Sequence, residues 1–266
     1  MRRRAFDARI LQSMKLTILG CGTSTGVPVI GCRCNVCLST NPRNRRTRAC
    51  ALLSANGKNI LIDTPPDLRR QALANNIERV DAIIFTHDHA DHIFGLDDIR
   101  SFNFAQTGPI PIYAGKKVMA RIKILFDYIW DPNAPMGGGK PLLDAHPIEG
   151  KFELFGIKVE PVEILHGPQT IYGYRIFDFA YLTDCSGIPA QSLNRLKALD
   201  LLVIGALRFR PHPTHFSVRE ALIQIEKINP KRAILTHLSH SFDYEEFNSS
   251  LPKQVQLAYD GMAVEL

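Results

Sequence analysis

Seven residues, Thr86-His87-Asp88-His89-Ala90-Asp91-His92, constrain this chain more than any other stretch. They hold three imidazoles and two carboxylates. They follow Val80-Asp81-Ala82-Ile83-Ile84-Phe85, a short apolar run with β-branched members that predicts a buried strand. They precede Ile93-Phe94-Gly95-Leu96-Asp97-Asp98-Ile99-Arg100, which predicts the first turns of a helix. A strand-to-helix junction is where α/β architecture places its sites. His87 and His89 are two apart, so in extended backbone they point the same way. Asp91 and His92 come after the chain has turned and can face a second point. One cluster can therefore feed two metal ions. The alternative is a polar loop, but ligand-type residues at this density are costly to hold together without a cation.

The chain has 266 residues, 45% hydrophobic and 22% charged, an ordinary soluble globular composition. Its length allows one sizeable core or two small ones. No apolar run approaches the roughly 20 residues that a membrane helix needs. The basic start Met1-Arg2-Arg3-Arg4 is not followed by an apolar stretch, so it does not read as a secretory signal. Residues 1–13 read as a flexible extension, Met14 as an alternative start, and residues 14–266 as a single domain. A cytoplasmic protein is expected.

The net charge of +6 suits an anionic substrate and does not establish nucleic-acid binding. Arg43, Arg45, Arg46 and Arg48 form the densest basic run, either a solvated loop or a wall facing phosphate. Three of the six cysteines, Cys32, Cys34 and Cys37, fall within six residues, a pattern of metal rather than disulfides. Cys21 and Cys50 are expected in the core, and Cys185 as a packed thiol.

Further strands are expected at 15–20, 110–113, 171–177, 179–183, 201–204 and 233–236, with two more within 152–162 and one ending at His166. Residues 49–54 and 59–63 predict a hairpin turning at Asn56-Gly57. Helices are expected at 68–75, with Pro66 able to start it, at 116–128 and at 192–198. Another spans 217–228, where Ser217 and Glu220 fit a capping box. Residues 255–259 and 262–266 predict a closing hairpin around Asp260-Gly261. Residues 130–146 hold three prolines and three consecutive glycines without a period, and read as a loop insertion, either a lid or a dimer contact. Two mixed sheets packed face to face with helices outside account for this order. Four strands run into metal-ligand types, at His87, His166, Asp184 and His237.

The pattern His-x-His-x-Asp-His at 87–92, followed by His166, Asp184 and His237, resembles the metallo-β-lactamase fold of binuclear hydrolases, from residue 15 to residue 266. A closer resemblance is to the cyclic-phosphate phosphodiesterase subgroup of the carbon–phosphorus lyase pathway. It is carried by Gly31-Cys32-Arg33-Cys34-Asn35-Val36-Cys37, by Leu235-Thr236-His237-Leu238-Ser239-His240-Ser241-Phe242-Asp243 and by Tyr259-Asp260-Gly261-Met262.

The resemblance implies an αββα sandwich with two divalent ions, zinc or manganese. His87, His89 and His166 would hold one, Asp91, His92 and His237 the other, with Asp184 bridging. Two such ions bring a shared water towards a pKa of ~7 and neutralise charge on an attacked phosphoryl group. Asp63 is a candidate acceptor for a ligand imidazole N–H, or else a turn cap. The subgroup adds His240 as fourth ligand of a structural zinc on Cys32, Cys34 and Cys37. It also places His215 as general acid, beside Asp91 among the catalytic residues. Arg208, Arg210 and His212 are candidate substrate-binding groups, and His146 reads as a loop histidine. The expected reaction is hydrolysis of a small anionic phosphodiester, cyclic or nucleotide-like. Thioester or other acyl hydrolysis and nuclease action are the enzyme alternatives, and a non-catalytic binding module with structural metals is the alternative of another class. Nucleic acid is allowed but not favoured, no membrane partner is expected, and a homodimer is allowed.

Overall fold

The computed structural model describes residues 14–134 and 139–266. The expected extension at 1–13 lies outside the described residues, as do residues 135–138 of the proposed insertion. Two seven-stranded sheets face each other.

The first contains β1 (Lys15–Gly20), β2 (Cys50–Ala55), β3 (Lys58–Ile62), β4 (Ala82–Ile84), β5 (Ile110–Gly115) and β6 (Leu143–Ile148). The second contains β7 (Phe152–Leu154), β8 (Ile157–His166), β9 (Gln169–Ile176), β10 (Phe179–Leu182), β11 (Leu201–Gly205), β12 (Arg232–Thr236) and β13 (Val255–Leu257). The last strand, β14 (Met262–Glu265), returns to the first sheet and gives the order β14-β1-β2-β3-β4-β5-β6.

Both sheets follow one plan. Strands β14 to β3 pair antiparallel, and β3 to β6 pair parallel. Likewise β7 to β10 pair antiparallel, and β10 to β13 pair parallel. The switch between the two modes falls at β3/β4 and at β10/β11, and the chain segments that leave β4 and β10 carry part of the polar cluster.

Strand alternation builds the layers. Ile60, Ile62, Ala82 and Ile84 turn to the core between the sheets, where Val162, Tyr174, Tyr181 and Val203 meet them. Their neighbours Leu61 and Ile83 turn outward. There they are covered by α2 (Leu68–Ala74) through Leu68 and Ala72, and by α5 (Lys116–Leu125) through Met119 and Ile122. On the far side α7 (Val218–Ile228) buries Ala221, Ile225 and Ile228, and both halves of its Ser217–Glu220 capping box are formed. Cys21, Cys50 and Cys185 are core residues, as expected.

Three expectations are corrected. Residues 143–148 form β6 rather than the end of a loop. As an edge strand β6 tolerates Pro147, and its half-exposed faces leave no clean alternation in the sequence. His146 lies on this strand, stacked on Tyr113 at 4.8 Å and paired with Asp144 at 2.8 Å. The closing pair is not a hairpin, because β13 belongs to the second sheet and β14 to the first. Asp260 anchors the crossing by accepting from the Cys21 N–H (3.0 Å), the Thr47 N–H (2.7 Å) and the Thr47 hydroxyl (2.6 Å). Finally, the arginine run is neither a uniformly solvated loop nor a wall. Arg43 pairs with Glu245, Arg48 pairs with Asp67, Arg45 is exposed, and Arg46 is buried.

Candidate metal centre

The residues after β4 lead into α3 (Ala90–Ile93), a single turn that carries Asp91 and His92. His166 ends β8, Asp184 follows β10 and His237 follows β12. Asp63, Asp184 and His237 have φ of 65°, 53° and 56°. This left-handed conformation is uncommon for residues other than glycine and turns each side chain out of its strand direction.

The side chains converge as two sets that share one carboxylate, His87, His89, His166 and Asp184, and Asp91, His92, Asp184 and His237. Within each set the ligand-type atoms lie within 4.8 Å of one another. His92 Nε2 and His237 Nε2 are each 3.2 Å from Asp184 Oδ1, and His87 Nε2 is 3.8 Å from Asp184 Oδ2. Asp91 Oδ2 lies 3.4 Å from His92 Nε2 and 3.7 Å from His237 Nε2. Nitrogen and oxygen ligands at about 2.05 Å from a tetrahedral ion stand about 3.3 Å apart.

The rings are oriented from behind. His92 Nδ1–H donates to Asp63 Oδ2 at 2.8 Å. His87 Nδ1–H donates to Thr86 Oγ1 at 3.0 Å, and the Thr86 hydroxyl donates to Asp63 Oδ2 at 2.7 Å. His166 Nδ1–H is shared by the Asp184 and Thr214 carbonyls, each at 2.8 Å. Both readings of Asp63 therefore hold, since its other oxygen accepts the Thr86 N–H at 2.8 Å. The Nε2 atoms of His87, His92 and His237 are buried without a hydrogen-bond partner. Buried nitrogens left this way are costly, and a divalent cation is the partner that satisfies them together. The residues present fit the ions that the sequence implied.

Electrostatics agree. Burial pulls the His92 imidazole down, but the Asp184 and Asp63 carboxylates outweigh it and raise it well above the usual range. A position that favours a proton this strongly favours a cation. Burial raises Asp184, yet the charges of His237 and His92 hold it well below the usual carboxylate range. Burial, with His92 beside it, lowers His87, which keeps that ring neutral and able to coordinate.

A second group lies apart. Cys32, Cys34 and Cys37 surround His240 Nδ1 at 3.3, 3.5 and 3.4 Å. A tetrahedral zinc with sulfur at about 2.3 Å and nitrogen at about 2.05 Å separates those atoms by about 3.6 Å. Cys34 also caps the short helix α1 (Asn35–Leu38).

His215 sits beside the first group, outside the ligand sets. Its Nδ1 is 3.8 Å from Asp184 Oδ2, and its ring stacks on His237 at 4.8 Å. Burial pushes this imidazole down to about 3 despite Asp184. His212 is tilted against it at 5.1 Å, with Nδ1 accepting the Thr214 N–H at 3.3 Å. The Arg208 guanidinium donates to the carbonyls of Arg210 and Pro211 and so folds its own loop, while Arg210 is exposed.

Sequence reasoning missed the threonines. Thr86 supports His87, and the Thr183 hydroxyl donates to Asp184 Oδ1 at 2.7 Å. The signal was present, since Thr86-His87, Thr183-Asp184 and Thr236-His237 each put a threonine directly before a ligand-type residue at a strand end.

A family model described as "Beta-lactamase superfamily domain" matches residues 58–238. The crystal structure of a new diphosphatase from the PhnP family superposes with a TM-score of 0.91 at 43% identity, covering 97% of this chain and 98% of that one. Zinc-bound PqqB from Methylobacterium extorquens shares the fold, with a TM-score of 0.74 at 18% identity over 95% of this chain and 100% of that one. An octanoyltransferase of Porphyromonas gingivalis is 38% identical over 254 residues, which are 94% of this chain but 51% of that protein. The chain spans about half the length of the first curated relatives it matches. Among the described residues no helix is long and apolar enough to cross a membrane. The resemblance read from the ligand pattern thus holds over the whole described fold, and the chain belongs to the β-lactamase superfamily and, with the diphosphatase, to the PhnP family.

Proposed function

We propose that the chain is a two-metal hydrolase of small anionic phosphoric esters, cyclic or nucleotide-like, with diphosphate links within the same chemistry. The observation that carries this reading is His215, an imidazole outside the ligand sets yet only 3.8 Å from the shared carboxylate Asp184. His87, His89 and His166 would hold one ion, and Asp91, His92 and His237 the other. The two cations would supply an acidified water and neutralise charge at the attacked phosphorus.

The remaining roles belong to this chain's own side chains. His215 faces the leaving oxygen and gives it a proton. Burial keeps that imidazole neutral in the free site, so the anionic phosphoryl group is what draws the proton onto it. His212, whose Nδ1 is occupied by Thr214, offers Nε2 to a phosphoryl oxygen, and Arg210 adds positive charge at the rim. Arg208 acts by shaping the loop that carries both. Asp91 acts as a ligand among the catalytic residues, and its carboxylate stays ionised. Burial raises it, but the His237 and His92 imidazoles beside it bring it well below the usual range.

Acyl hydrolysis is the second reading, favoured by the octanoyltransferase relative. About half of that protein lies outside the match, and we assign its acyl transfer to the unmatched part. Measuring kcat/KM for a ribose cyclic phosphodiester and a nucleoside diphosphate beside an octanoyl thioester tests this. A preference for either phosphoric substrate is expected. A preference for the thioester overturns the substrate class and leaves His215 without its role.

A further inference from the structure

The arginine that the sequence placed in a basic loop is the largest fully buried side chain of the described residues. Arg46 is 1% exposed. Its guanidinium donates from Nη1 to the Ser239 carbonyl at 2.9 Å. From Nη2 it donates to the Phe242 carbonyl at 2.8 Å and to Asn44 Oδ1 at 3.2 Å. Ser239 and Phe242 bracket His240, and Ser239 is two residues beyond His237. One guanidinium thus grips the short segment that sends one histidine to the catalytic group and one to the cysteines.

The arginine backbone is tied to the other side of the cysteine set. Arg46 N–H donates to the Val27 carbonyl and Val27 N–H to the Arg46 carbonyl, both at 2.8 Å. Two residues on, Val29 N–H points at Cys37 Sγ, and Cys32 N–H donates to the Val29 carbonyl. The approach is close enough that a Cβ at Gly22 would stand 2.8 Å from the Arg46 carbonyl oxygen. Charge runs the same way. Three thiolates against one dication leave a net negative charge, and burying an arginine is tolerable only where its charge is answered. Burial opposes the charged form of Arg46, and Cys21, Asp260, Asp243 and, least of these, Cys37 favour it.

We infer that Arg46 is a positioning residue that couples the two metal regions, its planar fork fixing the 237–243 segment and its charge offsetting that of the thiolate set. The inference rests on reading both groups as metal sites. Supporting residues of this kind typically change metal affinity about 10–100-fold when lost. Lysine keeps the charge but has no planar fork to serve three acceptors, so the two parts of the role are separable.

The test uses the full chain, wild type, Arg46→Met and Arg46→Lys, with Arg45→Met as the exposed control. Cobalt(II) reports the cysteines through thiolate-to-metal absorption, and competition with a chromophoric chelator reports the affinities. In Arg46→Met the thiolate band is expected to need about tenfold or more additional cobalt. One histidine–aspartate ion is expected to weaken about 10–100-fold while the other holds. Arg46→Lys should restore the thiolate band but not the weakened catalytic ion, and Arg45→Met should match wild type. Unchanged affinities in Arg46→Met overturn the inference, as does an equal loss at every ion, which is the signature of general unfolding. If Arg46→Met does not fold, Asn44→Ala removes one of the three acceptors and must shift the same two ions in the same direction, or the inference falls. Absence of any thiolate band in the wild type would instead refute the metal reading beneath it.

Discussion

The cysteine group and the histidine–aspartate groups differ in how far the chain travels to make them. Cys32, Cys34 and Cys37 come from six consecutive residues and need one partner, His240, from a distant segment. The other groups draw on the exits of β4, β8, β10 and β12, so both sheets must be in place before the ligands meet. Exposure follows the same division. Cys32, Cys34 and His240 are half-buried, whereas His87, His92, Asp184 and His237 are fully buried, with the His87 and His92 rings held from behind. A set that is local and partly exposed adds stability to a loop. A set that is dispersed and buried leaves polar atoms unsatisfied, which the rest of the fold must support, and the proposed chemistry rests on that arrangement.

Four substitutions sharpen or break this contrast. His215→Ala should lower kcat by about 10²–10⁴-fold with metal content unchanged by elemental analysis, and an unchanged kcat removes His215 from the mechanism. Asp63→Asn takes the acceptor from His92 and Thr86, and should weaken metal binding about 10–100-fold in chelator competition, with the thiolate–cobalt band intact. Cys34→Ser should act oppositely. It should lose that band and lower Tm by about 6–12 °C, for a loss on the order of 3 kcal/mol, with the affinity at His87, His89 and His166 preserved. If Asp63→Asn and Cys34→Ser give the same pattern, the contrast is wrong. Ser217→Ala, which removes the cap of α7, should cost about 1 kcal/mol by thermal melts and leave both metal regions untouched.

Much of this was legible in the sequence because it is written locally. The ligand cluster at 87–92, the capping box at Ser217 and the exits into His166, Asp184 and His237 all depend on short spacing or on a strand running into a polar residue. What was hidden depends on partners far away. Residues 255–266 have a hairpin's pattern, and only the pairing of β14 with β1 and of β13 with β12 shows that they part company. Edge strand β6 lacks alternation because neither face is fully covered. Arg46 looks like its neighbours Arg45 and Arg48, and its burial follows from carbonyls almost two hundred residues away. For Asp63, composition could not choose between cap and ring support, and the structure uses one carboxylate for both.

The parting of β13 and β14 bears on how the chain reaches this state. Strand β1 is the first to be synthesised of those described, yet its outer edge is paired only by β14, among the last. Until then the first sheet ends on β1, a mostly buried, apolar strand that presents unpaired amides and carbonyls at the edge, an invitation to aggregation. Contacts joining residues about 250 apart are slow to form. Assembly should therefore finish with a single late event that adds the last strand to one sheet and, through Asp260, fastens the neighbouring loops at Cys21 and Thr47 at the same moment. Completion of the fold and completion of the site would then be one kinetic step.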